Sequence, residues 1–161
     1  FDFYSGGGLD IAFLGFGQID REGNVNVSKL DGMTVGPGGF IDIAQNARKV
    51  VFCGTFDTKG SKFQTGDGTL SLIKSGKIRK FVDQVDQITF SGSQACAQKQ
   101  EVLYVTERAV FRLQQDGVEL LEIAPGINLK KDLLDQMGFQ PLIKHSPELM
   151  NPSIFKDLSN E

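Results

Sequence analysis

Histidine is nearly absent from this chain. Its 161 residues include one, His145, set between Lys144 and Ser146-Pro147. No cysteine lies near it in sequence, so a histidine-based triad or zinc centre has no support, and His145 is expected at the surface. Cysteine is scarce as well. Cys53 ends the apolar run Val50-Val51-Phe52, and Cys96 lies between two alanines. Two isolated cysteines make neither a zinc spacing nor a disulfide framework; both are expected to be reduced, buried packing residues. Basic charge is not in excess: 17 Lys and Arg stand against 20 Asp and Glu, a net charge of −3. That argues against a broad nucleic-acid-binding face. No stretch approaches 18 uncharged apolar residues, so no transmembrane helix is predicted. No secretory leader is expected, and a cytoplasmic setting follows by default.

What is present suits one globular domain. Hydrophobic residues make up 40% and charged residues 23%, outside the range of disordered chains. At this length about 70% of the unfolded surface can be buried. The chain opens Phe1-Asp2-Phe3-Tyr4, without methionine, and runs into Ser5-Gly6-Gly7-Gly8. An apolar start is expected of a fragment of a larger protein.

The first half reads as α/β. Ile11-Ala12-Phe13-Leu14-Gly15-Phe16 is a continuous apolar run suited to a strand buried on both faces. Asp20-Arg21-Glu22-Gly23 is a turn, and Asn24 to Ser28 alternates, with Val25 and Val27 facing a core and Asn24, Asn26 and Ser28 facing away. A glycine-rich loop, Gly32 to Gly39, precedes a predicted helix with Phe40, Ile43, Ala44 and Ala47 on one stripe and Arg48 and Lys49 at its end. Val50–Cys53 is another buried strand, and helix followed by strand is half of a parallel crossover unit. Residues 54–77 read as loop, 78–85 and 88–90 as strands, and 94–100 as either helix or loop. Val102–Val105, Ala109–Leu113 and Val118–Ile123 are strands, the last two joined by the Asp116-Gly117 turn. Asn128 is placed to cap a helix whose stripe is Leu129, Leu133, Leu134 and Met137, with Gly138 at the C′ position. The expected division is a domain over 1–142 and an extended tail over 143–161 with few apolar anchors.

Several groupings carry possible chemistry. Gly15-Phe16-Gly17 begins like a dinucleotide fingerprint but lacks the third glycine and the following helix. Gly36, Gly38 and Gly39 open a helix, so they either offer backbone N–H groups to an anion or cofactor, or form a tight turn. Lys59 and Gly60, in Asp57-Thr58-Lys59-Gly60-Ser61, follow a buried strand, where ligands sit in open α/β sheets; the alternative is a solvated loop. Glu107 is either a lone base or a turn and ion-pair residue.

Gly23-Asn24-Val25-Asn26, Gly36-Pro37-Gly38-Gly39-Phe40-Ile41-Asp42, Thr58-Lys59-Gly60 and Val105-Thr106-Glu107-Arg108-Ala109-Val110-Phe111 occur in the order and spacing of the family I coenzyme A-transferases. The chain resembles, over about residues 5–125, the carboxyl-terminal part of a fused-chain short-chain acyl-CoA (acetate or propionate) CoA-transferase. The resemblance implies an open, mostly parallel α/β sheet with helices, like ribose-phosphate isomerase, with the β-hairpins of the second half added. It implies ping-pong transfer of CoA from an acyl-CoA to a carboxylate through a glutamyl-CoA thioester, with coenzyme A as substrate and no metal or redox cofactor. It implies that Gly60 supplies an oxyanion-hole N–H, that Asn26 lines the site, and that Gly36, Gly38 and Gly39 lie near the CoA thiol arm. Lys59 is a further candidate CoA contact. The family's nucleophilic glutamate opens a Glu-x-Gly element. None of the seven glutamates here does so, which places that group outside this chain. The expected partners are the missing amino-terminal portion of the protein and a second copy in a homo-oligomer, with no nucleic acid or membrane. The alternative is a non-catalytic ligand-binding sensor domain of the same superfamily; a sugar-phosphate isomerase-like enzyme is a third reading, poorly served by His145.

Overall fold

The computed structural model describes residues 11–27, 29–30, 33–34 and 47–155. In chain order the strands are β1 (Ile11–Leu14), β2 (Gln18–Ile19), β3 (Val25–Asn26), β4 (Lys29–Leu30), β5 (Met33–Thr34), β6 (Lys49–Cys53), β7 (Asp57–Thr58), β8 (Lys62–Gly66), β9 (Thr69–Lys74) and β10 (Ile78–Arg79). The short helix α1 (Gly92–Ala97) comes next, then β11 (Glu101–Val105), β12 (Ala109–Gln114), β13 (Gly117–Ile123) and β14 (Glu148–Leu149).

The main sheet has the order β1-β6-β11-β12-β13-β14. β1, β6 and β11 are parallel, with Ala12, Val50 and Val102 in one register row and Phe13, Val51 and Leu103 in the next. β11–β12–β13 is an antiparallel meander, and β14 returns parallel to β13. Two hairpins and two further strand pairs surround it: β4–β5 and β8–β9 are hairpins, while β2 pairs with β3 and β7 with β10. The expected mixed, mostly parallel sheet with hairpins in the second half is thus present.

Alternation along the strands puts one residue row of each onto a single core. Ala12, Val50, Phe52, Val102, Tyr104, Phe111, Leu113, Val118 and Leu120 share it with Phe16, Ile19, Val25, Phe56, Phe81 and Phe90 from the crossings. Phe81 is its aromatic hub, with ring centroids 5.0 Å from both Phe56 and Phe111 and 6.0 Å from Phe16. A smaller cluster on the other side holds Leu70, Val110, Ala124, Ile127, Met150 and Phe155.

Several expectations are corrected. Residues 54–77 are not loop: β7, β8 and β9 lie there, and Asp67 and Gly68 both adopt positive φ in the β8–β9 turn. Of the two strands expected over 78–90, only Ile78–Arg79 forms; Phe81 and Phe90 make isolated bridges to Ile19 and Val25. Lys49 begins β6 and does not close a helix; the helix expected over 40–47 lies largely outside the described residues. Ambiguous residues 94–100 belong partly to α1, capped by the Ser91 hydroxyl accepting from Gln94 N–H. Asn128 caps, as expected, but the capped segment is one π turn (Leu129–Leu133) and one 3-10 turn (Leu134–Gln136). Gly138 has no positive φ. A Cβ there would lie 2.9 Å from Val82 Cα, so the position serves close approach between two segments. The tail has real anchors, Met150 and Phe155, both buried.

Candidate active-site edge

Parallel strands β1 and β6 end side by side, and the crossings that leave their carboxyl ends hold the candidate residues. β1 runs into Gly15-Phe16-Gly17 and then β2, with no helix after the glycines, which removes the dinucleotide reading. Gly17 N–H donates to Asn26 O at 2.9 Å, tying β3 to that exit. Asn26 is only 1% exposed, and its amide nitrogen donates to Gln18 Oε1 at 2.8 Å. Asn24 is buried too: it accepts from Gly92 N–H and donates to Asp20 Oδ2. Both asparagines are therefore buried against protein.

β6 exits through Gly54. A Cβ at Gly54 would sit 2.9 Å from Phe16 Cε1 and 3.1 Å from Lys80 Nζ, so this glycine lets the two exits meet. Lys80 is buried with its ammonium 4.1 Å from the Phe16 ring centroid, a cation–π arrangement. Lys80 was not legible in the sequence, because it lies in a stretch that reads as strand.

Phe56 and Asp57 then carry the chain to a tight turn. Lys59 (φ 68°) and Gly60 (φ 88°) are both left-handed, and both are exposed. Lys59 O accepts from Lys77 N–H at 2.9 Å, and β7 pairs with β10. A Cβ at Gly60 would meet nothing within 4 Å, and no described residue bonds its N–H. Lys59 and Gly60 thus stand together at an open turn tip. Gly36, Gly38 and Gly39 lie outside the described residues.

Beneath the turn, Glu107 is an ion-pair residue. Its Oε2 accepts from Arg108 Nε at 2.9 Å, and its Oε1 accepts from Phe56 N–H at 2.8 Å. Cys53, expected in the core, is exposed at the end of β6. Desolvation pushes its thiol up, the wrong direction for a thiolate nucleophile. His145 is exposed, as expected. No cluster of metal-ligating side chains occurs among the described residues, and none of their helices is long and apolar enough to cross a membrane.

Two cavities are lined by described residues. One, of about 620 Å³, is lined by Arg21, Cys96, Gln114, Asp116 and Gly117 at the β12–β13 turn, the opposite end of the sheet. The other, of about 580 Å³, lies between residues 20–24 and 83–88. Neither includes Asn26, Lys59 or Gly60 in its lining.

No family model matches the chain. Among curated proteins, an acetate CoA-transferase (YdiF) of Escherichia coli strain K12 is 46% identical over 157 residues, 98% of this chain and 30% of that protein. A caffeate CoA-transferase of Acetobacterium woodii is 47% identical over 162 residues, 98% of this chain and 31% of that protein. The apoenzyme crystal structure of the acyl-CoA transferase YdiF of E. coli O157:H7 superposes with a TM-score of 0.91 at 46% identity, covering 96% of this chain and 30% of that one. The same enzyme is also solved as a thioester complex with CoA. A decarboxylase, AibA/AibB, shares the fold alone, with a TM-score of 0.63 at 19% identity. The chain spans about 30% of the length of the curated relatives it matches. With near-complete coverage of its own length at this identity, and one fold in common, the chain is similar to a portion of these coenzyme A-transferases.

Proposed function

We propose that this chain is the carboxyl-terminal part of a short-chain acyl-CoA:carboxylate CoA-transferase, working in the cytoplasm with the nucleophile supplied from outside its own 161 residues. The observation that carries the reading is the Thr58–Gly60 turn at the carboxyl end of the parallel strands. Its tip is a left-handed glycine with open space on the Cβ side.

The chemistry is two thioester exchanges. A glutamate carboxylate attacks the acyl-CoA carbonyl; a C–O bond forms, the C–S bond breaks, and CoA thiolate leaves an acyl-glutamyl anhydride. The thiolate attacks the glutamyl carbonyl of that anhydride and expels the first carboxylate, giving glutamyl-CoA. An incoming carboxylate then reverses both steps. Each attack puts negative charge on a carbonyl oxygen, and Gly60 N–H is the donor for it. Lys59, beside Gly60, supplies a cation for the anionic CoA. Asn26 shapes the neighbouring exit, and Gly36, Gly38 and Gly39 serve the thiol arm. No resident metal or redox group takes part.

The test compares this chain with the full-length protein, each given acetyl-CoA and propionate. Mass analysis is expected to find propionyl-CoA and a protein-bound CoA adduct with the full-length protein, and neither with the chain alone. No transfer by a folded full-length protein would overturn the reading.

A further inference from the structure

Arg108 is the largest side chain with no exposed surface among the described residues. Burying a guanidinium is costly unless its donors are matched, and here acceptors from three separate segments meet it. Nε donates to Glu107 Oε2 at 2.9 Å, Nη2 to Asp57 Oδ2 at 3.1 Å, and Nη1 to Asp132 O at 3.0 Å. The guanidinium carbon lies 4.7 Å from the Phe56 ring centroid.

The partners are tied to the segment that leads to Gly60. Glu107 Oε1 takes the Phe56 N–H, and Asp57 Oδ2 also takes the Gly76 N–H at 2.8 Å. Lys59 O takes the Lys77 N–H. Phe56, Asp57, Thr58 and Lys59 are therefore each held, by side chain, ladder or carbonyl, up to the residue before Gly60. A rigid stem carries a bare tip. That is what a backbone donor needs if it is to meet developing charge without reorganising.

We propose that Arg108, with Asp57 and Glu107, forms a buried positioning unit that fixes the Thr58–Gly60 turn and so aims the Gly60 N–H. The inference rests on the transferase reading above. These three residues touch no reacting atom; they act through the turn.

Asp57 offers a clean test, because both of its hydrogen bonds fall on Oδ2 while Oδ1 has no partner among the described residues. Asp57→Asn can keep both bonds with its amide oxygen and place nitrogen at the empty acceptor; Asp57→Ala loses both. In full-length protein, Asp57→Ala is expected to lower kcat about ten- to a hundredfold, the cost of a misplaced group, with KM for acyl-CoA within about twofold. Asp57→Asn is expected to restore kcat to within about threefold of wild type. A folded Asp57→Ala enzyme with kcat within that same range, or one altered only in KM, would overturn the proposal.

Hydrogen exchange gives a readout independent of activity and covers a variant that folds poorly. In Arg108→Lys, protection of the Lys77 amide is expected to fall about tenfold or more while the Val102 and Tyr104 amides in β11 hold theirs. Unchanged Lys77 protection would overturn the proposal. An inactive wild-type protein would count against the transferase reading alone, and the exchange experiment would still decide this one.

Discussion

Gly60→Ala and Gly60→Asn together separate what the backbone needs at this turn from what a substrate needs. Gly60 sits at φ 88°, and a Cβ there would touch nothing within 4 Å. The penalty for alanine is therefore conformational and free of steric overlap, about 1–2 kcal/mol for a left-handed L-residue. Thermal melting of this chain should fall by roughly 2–8 °C. Asparagine tolerates that region, so its loss should be roughly half or less. Both substitutions place the same Cβ in the open space at the turn tip, so, if a reacting carbonyl docks there, turnover by full-length protein should fall comparably in both, by about tenfold or more. Proline is a poor probe here: its ring fixes φ near −65°, and it would refold the turn while deleting the donor. Differential scanning calorimetry and steady-state CoA transfer are the assays. An alanine variant as stable as wild type would refute the strain argument. Turnover within about threefold in both variants, under about 0.7 kcal/mol in barrier, would show that no reacting carbonyl docks at Gly60.

Two further outcomes test the packing. The Gln114 amide hydrogen bond, opposed by burial and aided by Arg112, holds the Glu119 carboxyl below the usual glutamate range. Its folded pKa is lower than its unfolded one, so this stabilisation is complete above the unfolded value and is lost as pH falls through the folded value. Urea unfolding should find wild type ahead of Glu119→Gln above about pH 5 and the gap closing as pH falls below the usual glutamate range; a pH-independent gap would contradict this. Gly92→Ala puts a Cβ 2.1 Å from Glu22 O and 3.0 Å from Gly23 C. The overlap should destabilise by about 1–3 kcal/mol, outweighing the roughly 1 kcal/mol that alanine gains in a helix, and an unchanged urea midpoint would refute the contact.

The parallel core was legible because β1, β6 and β11 are apolar runs with little else to be, and the Asp116-Gly117 turn announced the second hairpin. The β8–β9 hairpin was missed because its faces are mostly polar and exposed; Leu70 is its one buried hydrophobe. Asp67-Gly68, with both residues left-handed, was the available signal. Residues 80–90 misread as strand for the opposite reason. Phe81, Val85 and Phe90 are buried, yet the backbone pairs piecemeal: Val82 N–H bonds Ile19 O, and Phe90 O receives Val25 N–H. Burial there comes from an irregular segment filling the space above the sheet. Around the candidate site, Gly60 was readable as a glycine after a strand. The Arg108–Asp57 pair was not, since its partners lie 51 residues apart and only the fold brings them into contact.

β1 has one ladder neighbour among the described residues, β6. No described strand pairs with its far edge, and beside it Phe13 is 66% and Ile11 38% exposed. A greasy edge is a template for another chain wherever it is left uncovered. Produced by itself, this polypeptide would carry its own nucleus for intermolecular sheet growth at one rim of the fold. Its solubility would then be governed by the few residues of that rim, however well the aromatic interior is packed.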